Sequence, residues 1–116
     1  MQAYEEEGGR AQRQLRPVRR YPRYMFSIPV TVRHRPPSRL QNTRGMTLDI
    51  SQGGVSAIVA ANLLVGEVVE IDLPLPTGLL NALANVRYKT ADRCGFEFIG
   101  LSPQEQQQIV GAVCHC

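Results

Sequence analysis

The chain has 116 residues, 43% of them hydrophobic, and a formal net charge of +3. That length sets a single domain, and the apolar fraction belongs to a globular fold rather than a disordered chain. No secretory apolar stretch follows Met1 and no run approaches bilayer length, so the sequence predicts a soluble, cytoplasmic protein without membrane insertion.

Charge is unevenly spread. Between Gly8 and Leu48 there are ten arginines and no acidic residue, and Lys89 is the only lysine of the chain. A guanidinium offers a planar fork that fits phosphates and base edges, whereas an ammonium is a point charge. The first third of the chain therefore predicts an anionic partner. Cys94, Cys114 and Cys116 are odd in number and lack zinc-ligand spacing, which predicts reduced thiols and no metal site.

In chain order, residues 1–17 have no apolar periodicity and predict a flexible basic arm. A barrel domain is expected over 18–114. "MFSIPVTVRH" (25–34) alternates as a first strand, with Pro29 marking an edge or bulge. "RPPSRLQNTRG" (35–45) reads as a polar loop. "MTLDIS" (46–51) and "GVSAIVA" (54–60) are the second and third strands, reversed tightly at Gly53-Gly54. "GEVVEIDLPL" (66–75) is a half-buried fourth strand, "TGLLNA" a connection, "LANVRYKTA" (83–91) a fifth strand and "CGFEFIGL" (94–101) a sixth. The period then changes. Ser102 as N-cap, Pro103 at the first helical position and Glu105 completing a capping box open a helix over 102–114. Ile109, Val110 and Val113 form its apolar stripe. The fold class is all-β with one helix: a six-stranded antiparallel barrel and a C-terminal α-helix.

Catalytic constellations are missing. His34 and His115 have no Asp or Ser partner at a meaningful spacing, and no phosphate-cradling loop precedes a helix, so the chain reads as a non-enzyme. Two stretches point to binding instead. In "RRYPRY" (19–24), Pro22 drives Tyr21 toward extended geometry, so Arg19 and Arg23 face the same way, ~13 Å apart at most. Two forks on one side suit two anionic or base-edge groups of one ligand. In "DISQGG" (49–54), Asp49 can accept from a guanine N1/N2 edge, Ser51 can donate to a phosphate or carbonyl, and Gly54, in the turn it forms with Gly53, lets a ring approach the backbone.

Arg19-x-x-x-Arg23 followed by Asp49-x-Ser51-x-x-Gly54 resembles the two-part signature of the PilZ domain family, bacterial six-stranded split barrels that bind cyclic di-GMP. The resemblance runs from about Arg19 to Val113 and includes "LPLP", "GFEF" and "LSPQE". It implies that Arg19 and Arg23 meet guanine Hoogsteen edges and phosphates. It also implies that Asp49 and Ser51 hold the other guanine, and that Gly54 keeps the Gly53-Gly54 turn open for the ligand. Arg20 is either an extra phosphate contact or exposed and idle. Of Tyr21 and Tyr24, one packs on the core and the other is available to stack. Val18, where an arginine would favour a stacked ligand pair, implies one ligand molecule per site.

The implied function is a cyclic di-GMP sensor whose surface changes on binding to regulate a downstream protein. The sequence names neither that protein nor an oligomeric state. No other cofactor is implied. Two alternatives carry different signatures: an arginine-rich barrel binding nucleic acid, for which the scarcity of aromatics and the lack of Trp leave few stacking platforms, and a PilZ-type protein-interaction module without ligand.

Overall fold

The computed structural model of the chain describes residues 21–34 and 41–113. Seven strands and a helix follow in order: β1 Tyr24–Met25, β2 Pro29–His34, β3 Gln41–Ile50, β4 Gly54–Val59, β5 Val68–Leu75, β6 Gly78–Lys89, β7 Arg93–Ile99 and α1 Pro103–Val113. All pairings are antiparallel, and the sheet order is β1-β3-β2-β5-β6-β7-β4. A further β3–β4 ladder joins β4, at one end of that order, back to β3. The result is a closed six-stranded barrel with β1 as an extra strand on the edge of β3.

Alternation builds the core. Val55, Ala57 and Val59 from β4, Val69, Ile71 and Leu73 from β5, and Leu80, Ala82, Ala84 and Val86 from β6 all point inward. Removing such side chains from water stabilises the fold by roughly 1.5–3 kcal/mol for each larger aliphatic one. Helix α1 closes the barrel through buried Ile109, Ala112 and Val113. Val110, expected in the stripe, is only half-buried. The capping box forms as expected: Ser102 N donates to Glu105 Oε1 (2.9 Å) and Glu105 N to Ser102 Oγ (3.1 Å). The helix is pinned to the β5–β6 hairpin by Thr77 Oγ1 donating to Gln108 O (2.7 Å) and Gln108 Nε2 donating to Gly78 O (2.8 Å).

Three expected boundaries move. The strand expected over 25–34 is split at Phe26–Ile28, where the register against β3 shifts by one: Met25 faces Asp49, but Pro29 faces Met46. Buried Thr47 bridges the break, its Oγ1 donating to Phe26 O and accepting from Ile28 N (2.9 Å). The loop expected over 35–45 ends early, because Gln41–Gly45 extend β3 and pair with β2. Their polar composition has low strand propensity, and pairing along β2 overrides it. Gly45 fits there because a Cβ would sit 2.3 Å from Ile58 O. The connection expected at 77–82 is β-structure too. Pro76-Thr77 alone make the turn, and Gly78, at φ +128°, starts a twelve-residue β6 that absorbs the fifth strand. The arm over 1–17, Val18, and Cys114 at the end of the expected helix lie outside the described residues.

Candidate ligand-binding site

The end of β3 and the turn after it form one wall. Ser51 N donates to Gly54 O (2.8 Å), closing the turn, and Ser51 Oγ accepts from Gly53 N (3.0 Å) and Gly54 N (3.2 Å). Ser51 is buried. Its hydroxyl is thus engaged by its own turn, in the manner of a side-chain-capped reversal. Gly54 answers to the barrel: a Cβ there would lie 2.2 Å from Phe96 O on β7. Neither Gly53 nor Gly54 has a positive φ. Close backbone approach, rather than left-handed geometry, is what demands glycine at 54. At Gly53 the nearest atom to a Cβ would be the Tyr21 ring edge at 3.1 Å, so Tyr21 lies along the turn.

The segment before β1 supplies the second wall. Arg23 comes across β3, and its Nη1 makes an ion pair with Asp49 Oδ1 and a 3.5 Å contact to Ser56 Oγ. The sequence-distant halves of the expected site therefore meet through Arg23 and Asp49. Tyr24 turns the other way and packs against the core.

A cavity of about 660 Å³ opens between these walls and the β6–β7 hairpin, lined among others by Tyr21, Arg23, Gly53, Arg87, Phe98 and Gln106. It is large enough for a ligand of nucleotide size. Arg87 Nη1 pairs with Glu97 Oε1 at 2.9 Å on the far side, both side chains largely exposed. Ser51 and Gly54 also line the cavity. Asp49 stands behind Arg23. Arg19 and Arg20 lie outside the described residues. No cluster of three or more potential metal ligands exists among the described residues, and no helix there is long and apolar enough to cross a membrane.

Sequence reasoning missed Ser56, Tyr88, Arg87 and Gln106. Ser56 carried a signal: it is the single hydroxyl within the apolar run "GVSAIV" and is only 5% exposed. Tyr88 did not, because its direction depends on an irregularity in β6.

The PilZ domain family model matches residues 17–113. The chain belongs to the PilZ domain family. Its members are non-catalytic binding modules that commonly bind c-di-GMP. The chain is similar in structure to the PilZ domain of CeSA from a cellulose-synthesizing bacterium, with a TM-score of 0.64 and 24% identity over 80% of this chain and 95% of that one. The PilZ domain of YcgR from Escherichia coli, solved with c-di-GMP, matches at a TM-score of 0.65 and 21% identity, covering 84% of this chain and 92% of that one. The Bacillus subtilis inhibitor of motility, MotI/DgrA, matches at 0.68 and 20% identity, covering 84% of this chain and 49% of that one. At these identities the likeness is one of fold. The comparison with curated proteins finds no match.

Proposed function

We propose that this PilZ domain is a c-di-GMP-binding sensor module, with the ligand seated in the cavity beside Arg23. The observation that carries the proposal is the ion pair of Asp49 with Arg23, which lines the cavity; it joins the two halves of the family signature. In this reading the Arg23 fork engages guanine O6 and N7. Asp49 steers that fork or accepts from a guanine N1/N2 edge. Ser51, Gly53 and Gly54 shape the turn on which the ligand rests, and Arg19 and Arg20 add positive charge toward the phosphates. Ligand binding changes the surface presented to a downstream protein.

Calorimetric titration with c-di-GMP, beside c-di-AMP and GTP, tests the assignment. Adenine presents an N6 donor where guanine presents the O6 acceptor, so clear preference for c-di-GMP is expected. Equal affinity for the two cyclic dinucleotides would remove the guanine-reading role of Arg23.

A further inference from the structure

One row of residues runs transversely over the outside of the barrel, from β3 to β6. Asp49 faces Ser56 on β4, Ser56 faces Gly95 on β7, and Gly95 faces Tyr88 on β6. Two irregularities create this row. In β3 the register steps from Thr47 directly to Asp49, and in β6 from Val86 directly to Tyr88. Thr47 and Val86 are buried inward-facing residues. Strict alternation after them would turn Asp49 and Tyr88 into the core, and each bulge returns its residue to the outer face.

Gly95 makes the row continuous. A Cβ at that position would lie 2.0 Å from Tyr88 Cε2, so the tyrosine ring occupies the space a side chain on β7 would fill. The ring thereby crosses β7, and its hydroxyl lies 3.2 Å from Ser56 Oγ on the strand beyond. Ser56 in turn stands 3.5 Å from Arg23 Nη1, the same nitrogen that pairs with Asp49. Arg23 Nη1 carries two hydrogens, and these two acceptors match them. The Nε and Nη2 hydrogens have no hydrogen-bond acceptor among the described residues, and Arg23 lines the cavity.

We infer that Tyr88 is a positioning residue for Arg23, acting through Ser56. With the Asp49 carboxylate on one side and the Tyr88-supported hydroxyl on the other, the guanidinium is held by one nitrogen. Its remaining fork stays free for the ligand. Arginine loses considerable rotamer freedom when it is fixed, so ordering it before binding leaves less to lose at the moment of binding. This inference rests on the reading of the cavity as the c-di-GMP site. Neither Ser56 nor Tyr88 belongs to the two-part signature.

The test is Tyr88→Phe, which keeps the ring over Gly95 and removes only the hydroxyl. Two readouts are needed. In the ligand-free protein, ¹⁵N relaxation of the Arg23 guanidinium should show greater mobility in the variant than in the wild type. By calorimetry, c-di-GMP affinity should fall about threefold to tenfold, the scale of one hydrogen bond. In an Arg23→Ala background, Tyr88→Phe should cause no further loss. Gly95→Ala, which displaces the ring, should reproduce the mobility change. Unchanged Arg23 dynamics in Tyr88→Phe would overturn the inference, as would an equal affinity loss with and without Arg23, which would mark Tyr88 as a direct ligand contact. If the wild type binds no c-di-GMP, the ligand assignment falls, and the relaxation data still decide whether Tyr88 holds Arg23.

Discussion

Arg23, Ser51 and Gly54 belong to one signature but do three different physical jobs. Arg23 reaches from outside the barrel, and its partners are side chains on two other strands. Ser51 binds the amides of its own turn. Ser51→Ala is therefore expected to lower stability by about 1 kcal/mol, through loss of the acceptor for Gly53 and Gly54 N–H groups. Chemical denaturation of the ligand-free variant checks this, and an unchanged midpoint would assign the hydroxyl to the ligand instead. Gly54→Ala should cost about 1–3 kcal/mol whether or not ligand is present, because the added methyl meets the Phe96 carbonyl. Cys94 is fully buried, and burial pushes its thiol above the ordinary range, with Lys89 pulling weakly the other way. An alkylating reagent at neutral pH should leave it unmodified in the folded protein and modify it on unfolding. Residue types at 23, 49, 51 and 54 were legible in the sequence because each is chemically marked. Tyr88 was not, because its placement depends on Gly95 and on a bulge at Arg87.

At the scale of elements, bulges explain what periodicity could not. The first expected strand breaks where β3 carries its register shift, and Thr47 makes that break tolerable by satisfying Phe26 O and Ile28 N. Thr47→Val keeps the shape and removes both bonds. The variant should lose about 1–3 kcal/mol of stability, since two backbone groups near the core are left without partners. Thermal unfolding of that variant checks the role, and a wild-type midpoint would show that the break needs no bridge. The start of the helix was readable to within a residue because its cap is written locally in Ser102, Pro103 and Glu105. β6 was not, because Thr77-Gly78 resembles an extended turn. Only the inward set Leu80, Ala82, Ala84 and Val86 reveals one long strand.

For the whole molecule, the closed barrel is a rigid frame that brings a segment before β1 and a turn after β3 to the same rim as the β6–β7 hairpin. This closure was foreseeable from six short strands and a terminal helix, whereas the extra strand β1 is two residues long and leaves no periodic trace. Charge at this scale separates the ligand reading from nucleic-acid binding. Duplex binding through many arginines loses affinity with salt at a log–log slope near −0.9 for each phosphate neutralised. A ligand with two phosphates has few such contacts, so c-di-GMP affinity should change only modestly between low and physiological salt. Any oligonucleotide binding should collapse over the same range. Tight, sequence-selective RNA binding that survives ~0.2 M salt would reverse that ranking.

The most direct measurement is calorimetric titration of c-di-GMP into the wild type and into Arg23→Ala under identical conditions. Saturable binding to the wild type, weakened about tenfold to a hundredfold in the variant, is the predicted result. No binding to the wild type, or equal affinity for both proteins, would contradict the proposal that this rim is the ligand site.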